Sequence, residues 1–169
     1  RSISGGVLYD WGVHLLEYSL QLIDAEVGEV SGFAHEGFWA PKTKWKADAN
    51  EDEGFLVVRF KGSQWLTLSI THLDSKSKEG WLEVTGTKGT LVFDGDHTTT
   101  YQHLKDRTVT TRYRNPRDEG FRYYENVAGF LTKKSPLVIT AEWSRRPIHI
   151  LDLAARSAKA GKAIPAKYG

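Results

Sequence analysis

Two apolar runs fix much of what this chain can become. "GFLVVRF" (54–60) and "QWLTLSITHL" (64–73) are separated only by Lys61, Gly62 and Ser63, a short glycine-containing link of the kind that closes a β-hairpin. In the second run Leu66, Leu68, Ile70 and His72 alternate with Trp65, Thr67, Ser69 and Thr71. Alternation with period two turns one face to a core and leaves the other carrying hydroxyls and a tryptophan. Such a sheet needs helices on its apolar face.

The helical patterns stand at the two ends of the chain. A first helix is expected from Asp10 to Ile23, with Asp10 as its N-cap and Val13, Leu16, Leu20 and Ile23 as an apolar stripe. Near the other end, "DEGFRYYENVAGFLTKK" (118–134) carries Phe121, Tyr124, Val127, Phe130 and Leu131 on one side. The segment 140–163 opens on Thr140 as a cap and closes at Gly161. Pro147 lies too deep in that segment for a first-turn residue, so a kink or a delayed start is expected.

Between these ends the pattern is extended. Val27, Val30 and Phe33 mark a glycine-interrupted strand within 26–39, and "PKTKWKADANED" (41–52) reads as a polar loop or lid around Trp45. "WLEVTG" (81–86) and "TLVFDG" (90–95) form a second hairpin, and two runs near 98–104 and 107–113 lack a strong apolar face and read as edge strands. The order helix, antiparallel strands, helices gives an α+β class: a predominantly antiparallel open sheet with helices packed on one face. A single domain over 1–169 is the simplest division.

Composition narrows the function. With 40% hydrophobic and 26% charged residues, the chain is of ordinary globular type and long enough to bury a core. Its net charge of +2 comes from scattered basic residues, which speaks against a nucleic-acid partner. No apolar run approaches the roughly 20 residues that span a bilayer, and no signal peptide opens the chain. Cysteine is absent, which removes disulfides and thiolate metal sites and suits the cytoplasm. No G-x-G-x-x-G or Walker A sequence occurs, and "GTKG" (86–89) sits between strands as a hairpin turn rather than a phosphate cradle. "FDGDH" (93–97) reads as a polar turn, and no metal site is assigned. The first residue is not Met, which suggests a fragment of a longer protein.

One pair of residues has the chemistry of a site. In "GGVLYDWGVH" (5–14), Asp10 and His14 lie four apart, so a helix brings carboxylate and imidazole to one face. That arrangement fixes the ring for acid/base work. Equally, Asp10 can be a simple cap and His14 a packed ring. Trp39, Lys42 and Trp45, with Lys44 and Lys46 beside them, are candidates for shaping substrate access, and His72 at a strand end for lining the pocket.

"GGVLYDWGVHLLEYSLQLI" (5–23) resembles the opening of the C-terminal domain of the glucose–fructose oxidoreductase/inositol dehydrogenase/MocA-like (Gfo/Idh/MocA) family, where a glycine pair precedes D-x-G-x-H or a close variant. "WLEVTGTKGTLVFDG" (81–95) is similar to that family's glycine hairpin. "YYENVAGFLTKKSPLVITAEWSRRPIHILDLAARSAKAGKAI" (123–164) is similar to its closing pattern, with Ser157 and Ala158 as the Ser-Ala pair. The resemblance implies a fold like the C-terminal domain of glyceraldehyde-3-phosphate dehydrogenase. It also implies an NAD(P)-dependent oxidoreductase acting on a sugar, cyclitol or related hydroxyl or carbonyl compound. His14 becomes the acid/base and Asp10 its partner. The family's N-terminal Rossmann domain, with the NAD or NADP site and a catalytic lysine, lies outside this sequence, so the fragment alone is expected to be inactive. A homo-oligomer through the face bearing Trp65, Thr67, Ser69 and Thr71 is expected as well. The competing reading is a non-catalytic sugar-binding or dimerisation module of α+β class.

Overall fold

The computed structural model describes residues 2–3, 5–76 and 78–167. Its elements in chain order begin with helix α1 (Val7–Leu20) and strands β1 (Val27–His35), β2 (Glu53–Phe60) and β3 (Trp65–Thr71). Then follow β4 (Leu82–Gly86), β5 (Gly89–Phe93), β6 (His97–Leu104) and β7 (Arg107–Arg114). Helices α2 (Phe121–Lys133) and α3 (Ala141–Ala160) and a short strand β8 (Ile164–Pro165) complete the chain. The strands form two four-stranded sheets, ordered β3-β2-β1-β8 and β4-β5-β6-β7. They belong to two compact units, residues 1–75 with 140–169 and residues 76–139.

In the first unit the expected hairpin is present. β2 pairs with β3 and with β1, all antiparallel. Leu66 and Leu68 point into the core beside Leu56, Val58 and Phe60, while Trp65 on the opposite parity is 71% exposed. Helices α1 and α3 supply the cover: Leu8, Leu16 and Leu20 from one, Ile150, Leu151, Leu153 and Ala154 from the other. Each Leu or Ile side chain buried in this way contributes about 1.5–3 kcal/mol. The antiparallel α+β class with helices on one sheet face is therefore the architecture observed.

Helix α3 lies directly on β1. A Cβ on Gly32 would stand 2.1 Å from the carbonyl oxygen of Ala154, so only glycine fits there. The Gly32 N–H donates to Ser157 Oγ at 2.9 Å, and that hydroxyl donates to Lys162 O at 2.7 Å. A buried serine thus supplies a partner for a backbone donor beyond the short pairing with β8. Thr140 caps α3 by accepting from the Trp143 N–H at 3.2 Å, and Gly161 ends it in the left-handed conformation. Pro147 is buried inside α3, yet the helix start is not delayed. The proline removes the N–H that would have met the Trp143 carbonyl, and the Trp143 indole N–H is held by the Glu17 carboxylate.

The second unit is a four-stranded meander followed by α2. Gly86 and Gly89 pair across the β4–β5 turn, as the "GTKG" reading requires. β6 is not an edge strand: it lies between β5 and β7, and of the two expected edge strands β7 alone is at an edge. Its lack of an apolar face reflects a unit with almost nothing to bury. Among its described residues only Thr98 is buried. Phe121, Tyr124 and Leu131 of α2 are 58%, 73% and 74% exposed.

Candidate functional site

The glycine pair, not Asp10, sets the start of α1. Gly5 and Gly6 take φ of +82° and +122°, conformations that side chains resist, and Gly6 is the N-cap. The helix therefore begins three residues before the expected point and ends at Leu20 rather than Ile23. Asp10 falls in its first turn, where a negative charge is favoured by the helix dipole. His14 follows one turn later. Both are exposed, and the rings of Trp11 and His14 meet edge-on with centroids 6.1 Å apart. Neither Asp10 nor His14 is engaged by a hydrogen bond or ion pair among the described residues. A carboxylate and an imidazole thus stand one turn apart on the open side of a helix, available to a third molecule.

Behind the entry to α1 lies a carboxylate from the polar segment 41–52. Glu51 is 5% exposed, and a Cβ on Gly6 would approach both its carboxylate oxygens to 2.6 Å. Its Oε2 is buried with no hydrogen-bond partner. Burial raises the nearby Tyr9 phenol above its ordinary value, helped by the charges of Asp152 and Glu51. A glycine turn leading into a helix N-terminus is an arrangement that can cradle phosphate. Here the Glu51 carboxylate lies against Gly6 and fills the space beside the turn. These residues do not fit the phosphates of a dinucleotide.

The other buried carboxylate organises the loop after β1. Asp52 is 2% exposed and accepts from the Phe38 N–H at 2.7 Å and the Trp39 N–H at 3.0 Å. Its own N–H donates to His35 O, and its carbonyl accepts from the His72 N–H, both at 2.8 Å. The Trp39 indole N–H then donates to His72 O at 3.2 Å. Burial pushes the Asp52 carboxyl up, but the Phe38 and Trp39 donors with His35 and His72 outweigh it, and the net direction is down. The supposed lid is two short 3-10 turns, Ala40–Lys42 and Lys46–Asp48, with Asp48 accepting from the Ser2 hydroxyl at 2.6 Å.

The structure therefore brings Trp39, Lys42 and His72 together. The Lys42 ammonium stands 3.7 Å from the Phe38 ring centroid and 4.5 Å from that of Trp39. Trp45 has its own cation, Lys44, at 5.0 Å. No hydrogen bond, ion pair or ring contact among the described residues ties this loop to Asp10 or His14. Sequence reasoning missed Phe38, Glu51 and Asp52. Asp52 had a signal, because 52, 54, 56, 58 and 60 share the inward parity of β2.

"FDGDH" forms a polar turn. Asp94 accepts from the N–H groups of His97 and Asp96 and from Arg112, and the His97 donor leads in holding its carboxyl below the usual value. Among the described residues no group of three or more His, Asp or Glu is placed to hold a metal ion. No helix among them is long and apolar enough to cross a membrane.

The fold defines a class, an α+β domain of antiparallel sheets and helices. The chain belongs to the Gfo/Idh/MocA oxidoreductase family and matches its C-terminal alpha/beta domain over residues 1–167. Solved structures share the fold. The Bacillus subtilis protein yvaA, assigned as an oxidoreductase, superposes with a TM-score of 0.80 at 16% identity, over 96% of this chain and 51% of its own. An NAD-binding protein from Listeria innocua gives 0.75 at 20% identity, over 95% and 48%. An oxidoreductase domain protein from Kribbella flavida gives 0.71 at 15%, over 95% and 51%. The chain thus spans about half the length of these proteins. No curated protein matches it.

Proposed function

We propose that this chain is the substrate half of an NAD(P)-dependent oxidoreductase acting on a sugar, cyclitol or related hydroxyl or carbonyl compound. The observation that carries the reading is the exposed Asp10–His14 pair, one turn apart on α1, in a chain of an oxidoreductase family. His14 exchanges a proton with the reacting substrate oxygen, and Asp10 orients the ring and contacts the substrate. NAD or NADP is held outside these residues, a reading supported by the Glu51 carboxylate packed against the glycine turn and by the chain's spanning about half the length of its structural neighbours. The chain alone is accordingly inactive. The exposed sheet face bearing Trp65, with the Phe33–Phe55 ring pair, is the surface for a homo-oligomer. The cysteine-free composition suits a cytoplasmic enzyme.

The test is His14→Ala in the complete protein. Turnover should fall by about a hundredfold or more while nicotinamide binding is unchanged, the scale of a lost general acid or base. Near-normal turnover would leave α1 a structural helix and return the chain to the sugar-binding or dimerisation module.

A further inference from the structure

We propose that the loop over 38–45 is an anion subsite, and that the substrate is a sugar carrying a negatively charged group, a carboxylate or a phosphate. The inference rests on the reading of the chain as a substrate half and adds the charge of the substrate.

The loop is built from a buried anion outward. Asp52 fixes the backbone N–H groups of Phe38 and Trp39, and His72 O holds the indole of Trp39. The two rings then stand at 90° with centroids 4.9 Å apart. In the corner between them they hold the Lys42 ammonium by its attraction to their faces. Lys44 stands over the single ring of Trp45. Among the described residues neither lysine is paired with a carboxylate. An exposed ammonium normally roams on a flexible stem. Here aromatic faces limit its freedom without cancelling its charge, so less ordering remains to be done when an anion arrives.

The rest of the loop suits a sugar. Phe38, Trp39 and Trp45 are 48%, 42% and 50% exposed, enough open aromatic surface for the C–H face of a pyranose ring. Lys46 adds a third positive charge. The nearest buried acids are not competitors: Asp52 is spent on backbone donors, and Glu51 lies against Gly6. A neutral sugar would use the rings and leave both ammonium groups without a partner. A sugar acid or sugar phosphate uses both features.

The experiment titrates the 169-residue chain with glucuronate, glucose 6-phosphate, glucose and inorganic phosphate, following the Trp39 indole N–H by NMR. Either anionic sugar should bind about tenfold tighter than glucose, the worth of one charge-assisted contact. The tighter of the two identifies the charged group. Lys42→Gln should abolish the preference, Lys42→Arg should keep most of it, and the remaining amide spectrum reports whether each variant is folded. Equal affinity for glucose and the anionic sugars overturns the proposal, as does absence of binding at millimolar concentration. Inorganic phosphate displacing glucose 6-phosphate at equal concentration also overturns it, since the rings would then contribute nothing. Absence of any preference in the unaltered chain, together with a dead His14→Ala enzyme, removes only this inference. A retained preference with an active His14→Ala enzyme removes the catalytic role and leaves the subsite.

Discussion

The two units of this chain are built on opposite terms. Residues 1–75 and 140–169 contain every buried hydrophobic side chain among the described residues, from Val7 to Ala154. Residues 76–139 form a regular antiparallel meander and a thirteen-residue helix, yet among those described none of the buried residues is apolar. Their hydrogen bonds are ordered, with continuous pairing from His97–Arg114 to Leu104–Arg107. The difference separates two sources of order. Backbone pairing and turn chemistry define the second unit, whereas packing of α1 and α3 on a sheet defines the first. The candidate site lies wholly in the unit with the core, where α1 and the strand ends are held firmly enough to position side chains.

That contrast can be broken by truncation. Leu56→Ala, fully buried between the helices and the sheet, should lower stability by about 2–5 kcal/mol. Leu131→Ala, 74% exposed on α2, should change it by no more than about 0.5 kcal/mol. Denaturant midpoints of the two variants provide the comparison, and similar losses would mean that the second unit has a core after all. Gly32→Ala tests the same packing from the backbone side. Its new methyl would meet the Ala154 carbonyl at 2.1 Å, and a loss of about 1–3 kcal/mol is expected from overpacking. An unchanged midpoint would show that α3 can lift from β1.

A smaller effect belongs to the loop. Asp52 is held below its ordinary value, so its stabilisation is complete above about pH 4, the ordinary value of a free Asp. It is lost as pH falls through the lower, folded-state value. The Trp39 indole signal should therefore change on the acid side of pH 4 and be stable above it. Asp52→Asn, which keeps an acceptor but loses the charge, should remove that acid-side change. If the transition persists in the variant, another group holds the loop.

Much of the first unit was legible because its signals are local. Alternation in the second run turns Leu66 and Leu68 inward and Trp65 outward as expected, but His72, given to the inward face, is exposed just past the end of β3. Thr140 and Gly161 mark the ends of α3 as their residue types suggest. What was not legible depends on distant partners. Asp10 has the right chemistry for a cap, but Gly6 takes that place because two left-handed glycines open the helix earlier, with Glu51 packed against the second. Asp52 looks like one more polar loop residue until the parity of β2 is extended back to it. The split into two sheets has no local signature, since the strand patterns are alike in both. For the candidate site, residue types singled out Asp10, His14, Trp39, Lys42, Trp45 and His72 as candidates. The grouping of Trp39, Lys42 and His72, with Phe38 and Asp52 as supports, came only with the fold.

The central claim is that Asp10 and His14 work as one catalytic unit, and a double-mutant cycle in the complete protein tests it. Turnover is measured for Asp10→Asn, His14→Ala and the two combined. Groups that act together lose their effect together, so the double variant should be no slower than His14→Ala alone. Losses that multiply, or a His14→Ala variant with normal turnover, would contradict the account.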